Sequence, residues 1–250
     1  MTPVLETRGL SKSFGGIAAA DKVNLSLAPG ARHALIGPNG AGKTTLVNLL
    51  TGALTPDHGQ ILLDGRDITR LPQHQRVKRG VARTFQVSQL FPDMTPLESV
   101  ALAVAERLGV ARHWWRQLGR ENAVFAEAAA MLDDLDLLDC ADQPTRRLPY
   151  GRQRLIEIAL ALALKPRVLL LDEPAAGVPR GDSAELFRRI SALPREVTVL
   201  LIEHDMDIVF RFAERITVMV NGAVLTEDAP ERVAANPGVR EVYLGEAAHG

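Results

Sequence analysis

The sequence lacks the features that would place the chain outside the cytosol or inside a membrane. Its 250 residues include one cysteine, Cys140, so no internal disulfide can form. The longest apolar stretch, 155–164, is interrupted by Glu157 and falls short of the ~20 residues that span a bilayer. The first residues have no basic segment followed by an apolar one, as a secretory signal would. We therefore expect a cytosolic protein, or one peripheral on the cytoplasmic face of the inner (cell) membrane.

A strong charge of either sign is also missing. The formal net charge is -1, and the lysines and arginines form no basic block. Affinity for nucleic acid depends largely on neutralising phosphates, so no nucleic-acid partner is predicted. The hydrophobic fraction of 46% is typical of a globular protein, and the length suits a single domain with a subdomain.

Strand-like and helix-like segments alternate along most of the chain. Strands are predicted at 4–10, 23–28, 32–36, 60–65, 80–86, 167–171, 197–202, 216–220 and 223–227, and helices at 43–52, 73–79, 152–164, 181–193 and 205–213. The last two strands are joined by Asn221-Gly222, a tight-turn signal, and are expected to close the chain. This alternation predicts an α/β fold with a mostly parallel core sheet, which binds its ligand at the carboxyl ends of the strands.

A glycine-rich segment separates the third predicted strand from the first predicted helix. It reads Gly37, Pro38, Asn39, Gly40, Ala41, Gly42, Lys43, Thr44 and Thr45, matching G-x-x-x-x-G-K-[ST]. The amides of such a loop and of the following helix N-terminus bind phosphate. Lys43 would reach the β- and γ-phosphates, and the Thr44 hydroxyl would coordinate Mg²⁺. Both flanks agree with the motif, which disfavours a glycine-rich turn without a ligand.

Two acids end the apolar run at 167–174. Neighbouring strand residues face opposite ways, so Asp172 and Glu173 are expected to differ in role. Asp172 fits an acid associated with Mg²⁺, and Glu173 fits the base that orients or deprotonates the attacking water. An acidic strand end is as often a solvated turn or a cap. The phosphate loop in the same chain favours the catalytic interpretation.

Two further polar residues follow predicted strands. Gln86 ends the strand at 80–86, and His204 follows the strand at 197–202. Each would be unremarkable alone. Together with Lys43 and Glu173 they come from four strands that should deliver them to one sheet edge, as expected for an active site.

The motifs GPNGAGKTT, RTFQ, LPYGRQR, LLLDEP and LIEHD, in this order, resemble those of an ABC-type P-loop ATPase. The resemblance covers the chain from about Phe14 to His204. It implies N-terminal antiparallel strands and a helical subdomain inserted at about 87–150, between core segments 1–86 and 151–250. It also implies that Phe14 stacks on adenine, although a core aromatic fits that residue equally well. Gln86 would sense Mg²⁺ and the attacking water, and His204 would contact the γ-phosphate.

Within that family, the stretches around ARTFQ, EHDMDIV and VYLGE are similar to the larger ATPase subunit of branched-chain amino acid importers. This resemblance implies ATP and Mg²⁺ as ligands. It also implies a second ATPase subunit, two membrane permease subunits and, indirectly, a periplasmic binding protein as partners. Related systems import other small polar solutes. A lipopolysaccharide-type exporter ATPase and a cytosolic ABC ATPase of iron–sulfur assembly are the alternatives.

The chain departs from the family in two places. The signature, usually L-S-x-G-Q, has Pro149, Tyr150, Gly151 and Arg152 after the leucine. In the family this helix N-terminus meets the γ-phosphate on the opposite subunit, and Pro149 removes a hydroxyl donor. Arg152 could replace part of that contact. The family usually has Asp or Asn where this chain has Pro179. We therefore expect an intact half-site on Lys43 and Glu173 and a weakened one at the signature.

The tryptophans Trp114 and Trp115 are adjacent in a chain with only 4% aromatic residues. They fit a surface that docks on a permease or on lipid headgroups, or a packed turn of the helical insertion.

Overall fold

The computed structural model describes residues 2–84, 90–110 and 118–247. The chain forms two compact units. The first comprises residues 1–81, 167–173 and 194–250, and the second comprises residues 82–166 and 174–193.

Ten strands and nine α-helices are found within the described residues. The strands are β1 (Leu5–Phe14), β2 (Ile17–Leu27), β3 (Arg32–Ile36), β4 (His58–Leu63), β5 (Arg66–Asp67), β6 (Val81–Arg83), β7 (Val168–Asp172), β8 (Thr198–Ile202), β9 (Arg215–Val220) and β10 (Ala223–Asp228). The helices are α1 (Lys43–Thr51), α2 (Gln73–Lys78), α3 (Pro96–Arg107), α4 (Leu118–Asp134), α5 (Tyr150–Ala163), α6 (Arg180–Ser191), α7 (Met206–Phe212), α8 (Pro230–Ala235) and α9 (Pro237–Ala247). None of the helices in these ranges has the length and apolarity needed to cross a membrane.

The first unit contains two sheets. Strands β1, β2, β4 and β5 form an antiparallel sheet in the order β2-β1-β4-β5. In the second sheet β3 lies between β9 and β8, and β7 follows β8, all four parallel. Strands β3, β7 and β8 are buried along their whole length, as expected for parallel strands covered on both faces. The α/β class, the parallel core sheet and the antiparallel N-terminal strands are confirmed.

The turn between β9 and β10 has the predicted form. Asn221 and Gly222 have φ angles of 49° and 82°, and two successive positive values are what a type I′ hairpin turn requires. The prediction that these two strands close the chain was wrong, because α8 and α9 follow them. Each of these helices begins with a proline, which is favourable in a first helical turn.

The second unit is helical. Helix α3 begins with a capping box, in which Thr95 accepts from the Glu98 amide and Glu98 accepts from the Thr95 amide. Helix α5 packs against α3 and α4, and α6 packs against α5. This unit includes α5 and α6 as well as α3 and α4, whereas the sequence predicts a helical segment at about 87–150.

Candidate nucleotide-binding site

The glycine-rich loop joins β3 to α1 and lies in the first unit. Gly37 and Gly42 have φ angles of 154° and 95°, in the region that favours glycine. A β-carbon on Gly37 would lie 2.2 Å from the Met219 carbonyl oxygen, and one on Gly42 would lie 2.2 Å from that of Ala19. The loop is thus packed closely against two neighbouring strands, and larger residues at these positions would displace it.

Lys43 is the first residue of α1 and folds back over the loop. Its Nζ atom donates to the carbonyl oxygens of Gly37 at 2.6 Å and Pro38 at 2.9 Å. Helix α1 starts with no acidic side chain in its first turn, so its N-terminal dipole is not offset by a neighbouring carboxylate. Thr44 follows and is exposed. The loop therefore combines a helix N-terminus, an ammonium group and a hydroxyl, the combination that binds phosphate with a metal ion.

Strand register brings the other core residues to the same sheet edge. Ile202 at the end of β8 is paired with Leu35 of β3 on one side and with Asp172 of β7 on the other. Three parts of the chain therefore leave the sheet at the same position along the strands. They are the loop that begins at Gly37, the acids at the end of β7 and His204 after β8. This is the arrangement that the carboxyl-edge rule predicts.

Asp172 and Glu173 differ in environment. Asp172 is buried at the end of β7, whereas Glu173 is partly exposed. The Glu173 amide donates to the Ile202 carbonyl oxygen at 2.9 Å, and its φ angle is 46°. A positive φ angle in a residue other than glycine costs about 1–3 kcal/mol and is common at functional sites. The main chain thus turns sharply at Glu173 and ends the strand alternation there.

His204 is held at its backbone by a residue that the sequence reasoning missed. Oε2 of Glu203 accepts a hydrogen bond from the His204 amide at 2.9 Å and lies 3.4 Å from Nδ1 of the His204 ring. The Glu203 side chain is 1% exposed and that of His204 is 71% exposed. The sequence did contain a signal, because Glu203 directly follows the apolar run of β8, just as an acid ends the apolar run of β7.

Phe14 is the last residue of β1 and is 47% exposed. This exposure excludes the alternative of a core aromatic. The Lys12 ammonium lies 5.6 Å from the centre of its ring. Gln86, Trp114 and Trp115 lie outside the described residues.

The signature residues lie at the start of α5 in the second unit. Pro149 is the N-cap, with φ −55° and ψ 147°, so α5 begins directly after the proline. Arg152 donates from one Nη atom to both carboxylate oxygens of Asp139, each at 2.7 Å. Within this unit the Arg152 guanidinium therefore already has an anionic partner. Pro179 is the N-cap of α6.

Comparisons with known proteins agree with this geometry. A family model described as ABC transporter matches residues 20–176. The chain is 41% identical over 254 residues to the high-affinity branched-chain amino acid transport ATP-binding protein BraF of Pseudomonas aeruginosa, covering 98% of this chain and 99% of that protein. It is 40% identical over 253 residues to LivG of Escherichia coli K12, which bears the same description, covering 98% and 99%.

Two solved structures are similar as well. One is the ADP conformation of an ATP-binding cassette from an ABC transporter, with a TM-score of 0.84 and 32% identity over 98% of this chain and 100% of that one. The other is a nucleotide-free ATP-binding cassette, with a TM-score of 0.83 and 31% identity over 97% and 99%. The chain therefore belongs to the ABC transporter family. It is an ATP-binding subunit and an ATPase of that family.

Proposed function

We propose that this chain hydrolyses ATP to power the import of branched-chain amino acids. The observation that carries this proposal is the identity of about 40%, over nearly the whole length, to two subunits named for that transport. Neither an exporter ATPase nor an iron–sulfur assembly ATPase is favoured, because the reported relatives are amino acid transport subunits.

In the proposed mechanism, the phosphate loop and the N-terminus of α1 hold the phosphates. Lys43 would transfer its hydrogen bonds from the Gly37 and Pro38 carbonyl oxygens to phosphate oxygens. Glu173 orients or deprotonates the attacking water, and His204 contacts the γ-phosphate. Gln86 senses the water, and the exposed ring of Phe14 stacks on adenine.

The side chains at this edge fit Mg²⁺. The exposed Thr44 hydroxyl and the buried Asp172 carboxylate are oxygen donors, which this ion prefers, and it commonly takes one or two protein ligands beside substrate phosphates. When bound, Mg²⁺ would neutralise charge on the β- and γ-phosphates.

The proposed assembly follows the importer pattern. A second ATPase subunit, a different chain, would complete the site on this chain's phosphate loop with its signature, and this chain's signature would complete the site on the partner's loop. Two permease subunits would anchor the pair at the cytoplasmic face of the inner membrane. A periplasmic binding protein would deliver the amino acid.

Reconstitution tests this proposal. The chain, its partner ATPase and the permeases are placed in liposomes with the binding protein, and uptake of labelled leucine is measured with and without ATP. We expect ATP-dependent uptake, which Glu173→Gln abolishes while the chain still binds ATP. Uptake that survives Glu173→Gln would exclude Glu173 as the base. ATP turnover that no branched-chain amino acid stimulates would point to another cargo.

A further inference from the structure

Helix α5 contains a buried ion pair that the proposed mechanism does not use. An Nη atom of Arg154 donates to Oε2 of Glu157 at 2.8 Å, and the two side chains are 4% and 9% exposed. A buried ion pair is rarely retained for stability, because well-packed apolar residues of similar volume often replace it without loss. The position of this pair therefore calls for another explanation.

Arg154 reaches from α5 toward the segment that follows Glu173 in the chain. Its second Nη atom lies 3.5 Å from the carbonyl oxygen of Ala176. Its guanidinium carbon lies 5.0 Å from the centre of the Tyr150 ring, within the range of a cation–π contact. Glu157 binds the other Nη atom of Arg154. The guanidinium therefore contacts Glu157 on its own helix and the carbonyl oxygen of Ala176 in the following segment.

Tyr150 contacts the same segment one residue further on. Gly177 has a φ angle of 77°, and a β-carbon there would lie 3.2 Å from Cε1 of Tyr150. A β-carbon on Gly151 would likewise lie 3.2 Å from Cβ of Asp182. The first turn of α5 and the segment 176–182 therefore approach each other with little room for an added methyl group.

We propose that Arg154 is a positioning residue for ATP hydrolysis. It fixes the segment 174–179 against the first turn of α5, and Glu157 holds its guanidinium in the orientation that does so. Because this segment continues directly from Glu173, its position limits the directions available to the catalytic carboxylate. The inference rests on the proposed role of Glu173.

The test separates positioning from stability with two substitutions. Arg154→Met alone leaves the Glu157 carboxylate buried without its partner, so its melting temperature should fall and its activity is not informative. The double variant Arg154→Met/Glu157→Leu replaces both charges by apolar side chains and should fold as stably as the wild type. It still lacks the contacts to Ala176 and Tyr150.

We expect this double variant to lose about tenfold in kcat, because a small misplacement of a reacting group has effects of this order or larger. Its Kd for ATP should stay within about twofold, since the phosphate loop lies in the other unit. Amide hydrogen exchange in a peptide covering 174–182 should become faster in the purified chain. Glu157→Gln, which keeps a hydrogen-bond acceptor for Arg154, should retain most of the turnover.

A matched control is the exposed pair Arg188 and Glu185 on α6, also three residues apart. Arg188→Met/Glu185→Leu should change neither kcat nor exchange at 174–182. Full kcat and unchanged exchange in the Arg154→Met/Glu157→Leu variant would overturn the inference. Failure of the proposed function looks different, because the wild-type assembly would then lack ATPase activity, or Glu173→Gln would retain it.

Discussion

The Nε2 atom of His33 lies 2.7 Å from the hydroxyl oxygen of Thr217, which joins β3 to β9 within the core. The Thr217 hydroxyl donates its only proton to Oε2 of Glu227 at 3.1 Å, so Nε2 of His33 must carry the proton in this hydrogen bond. The neutral imidazole is therefore the tautomer with its proton on Nε2. Burial, together with the nearby Arg215 charge, lowers the pKa of His33 from 6.5 to about 4.

This relationship predicts a loss of stability in mild acid. The unfolded chain binds a proton at His33 near pH 6.5, whereas the folded chain binds it only near pH 4. The contribution of His33 to the free energy of unfolding is therefore fully present above pH 6.5 and is lost as the pH falls toward 4. Linkage between protonation and folding gives a loss of about 2 kcal/mol in the free energy of unfolding between pH 7 and pH 5. Urea unfolding at both pH values measures it.

His33→Gln provides the comparison, since its side chain keeps a donor for Thr217 and does not titrate. Its absolute stability can differ from that of the wild type. Between pH 7 and pH 5, the loss in its free energy of unfolding should be smaller than the loss in the wild type by about 2 kcal/mol. An equal pH dependence in the two proteins would show that His33 does not titrate in this range.

A second prediction concerns Arg76, which is buried although it belongs to the polar helix α2. Its guanidinium donates to the carbonyl oxygens of Leu49 and Leu50 near the end of α1, and to those of Thr69 and Leu71. Arg76→Met should lower the free energy of unfolding by about 3 kcal/mol, because these buried acceptors lose a charged donor. The melting temperature should fall by roughly 10 °C.

The control for this prediction is Arg79→Met at the end of the same helix. Arg79 is exposed, and its side chain makes no hydrogen bond or ion pair within the described residues. Its replacement should change the melting temperature little. Similar losses for the two variants would show that the contacts of Arg76 to α1 do not account for its burial.

The phosphate loop supports a third prediction, on Gly42. An alanine there would have a φ angle of 95° and a β-carbon 2.2 Å from the Ala19 carbonyl oxygen, so the loop must shift. Gly42→Ala should weaken ATP binding at least tenfold, measured by fluorescence titration.

Gly65→Ala is the matched control, because Gly65 has a φ angle of 74° with no atom within 4 Å of the added carbon. It should cost only about 1 kcal/mol of stability and leave ATP binding unchanged. Equal ATP affinities in the two variants would contradict the prediction.

The strand ends and the loop proposed to bind phosphate could be located from the sequence because their signals are local. Apolar runs ending in acids, as at Asp172, and the pattern around Lys43 identify strand ends, and parallel pairing places such ends together. The environments that depend on distant partners could not be predicted. Arg76 stands in a polar helix pattern, which indicates solvent exposure, and only the fold supplies the four carbonyl oxygens around it.

The place of α5 in the helical unit could not be predicted for a similar reason. The apolar face of α5 predicts a buried helix but does not indicate which elements cover it, and it packs on α3 and α4. Glu203 was missed because His204, its neighbour, carried the recognisable pattern. Its burial was not apparent from the sequence.

The last prediction concerns the altered signature and uses the first turn of α5. Pro149 is the N-cap and makes no side-chain cap. A serine hydroxyl there accepts from an amide in the first turn and can still donate to a phosphate oxygen. Pro149→Ser should therefore stabilise the purified chain by about 1 kcal/mol. In the assembly it should raise turnover at the site where this signature meets the partner's phosphate loop.

That site can be isolated by adding Lys43→Ala, which removes the ATP site on this chain's own loop. Residual turnover then reports the partner's loop alone. Against this background, Pro149→Ser/Arg152→Gln should raise turnover several-fold, since Arg152 is held by Asp139 and the serine supplies a donor. Asp139→Asn, which releases Arg152 and keeps Pro149, separates the two effects. A rise with Asp139→Asn as large as with the serine variant would mean that the ion pair limits this site. No rise in either variant would show that the altered signature does not weaken it.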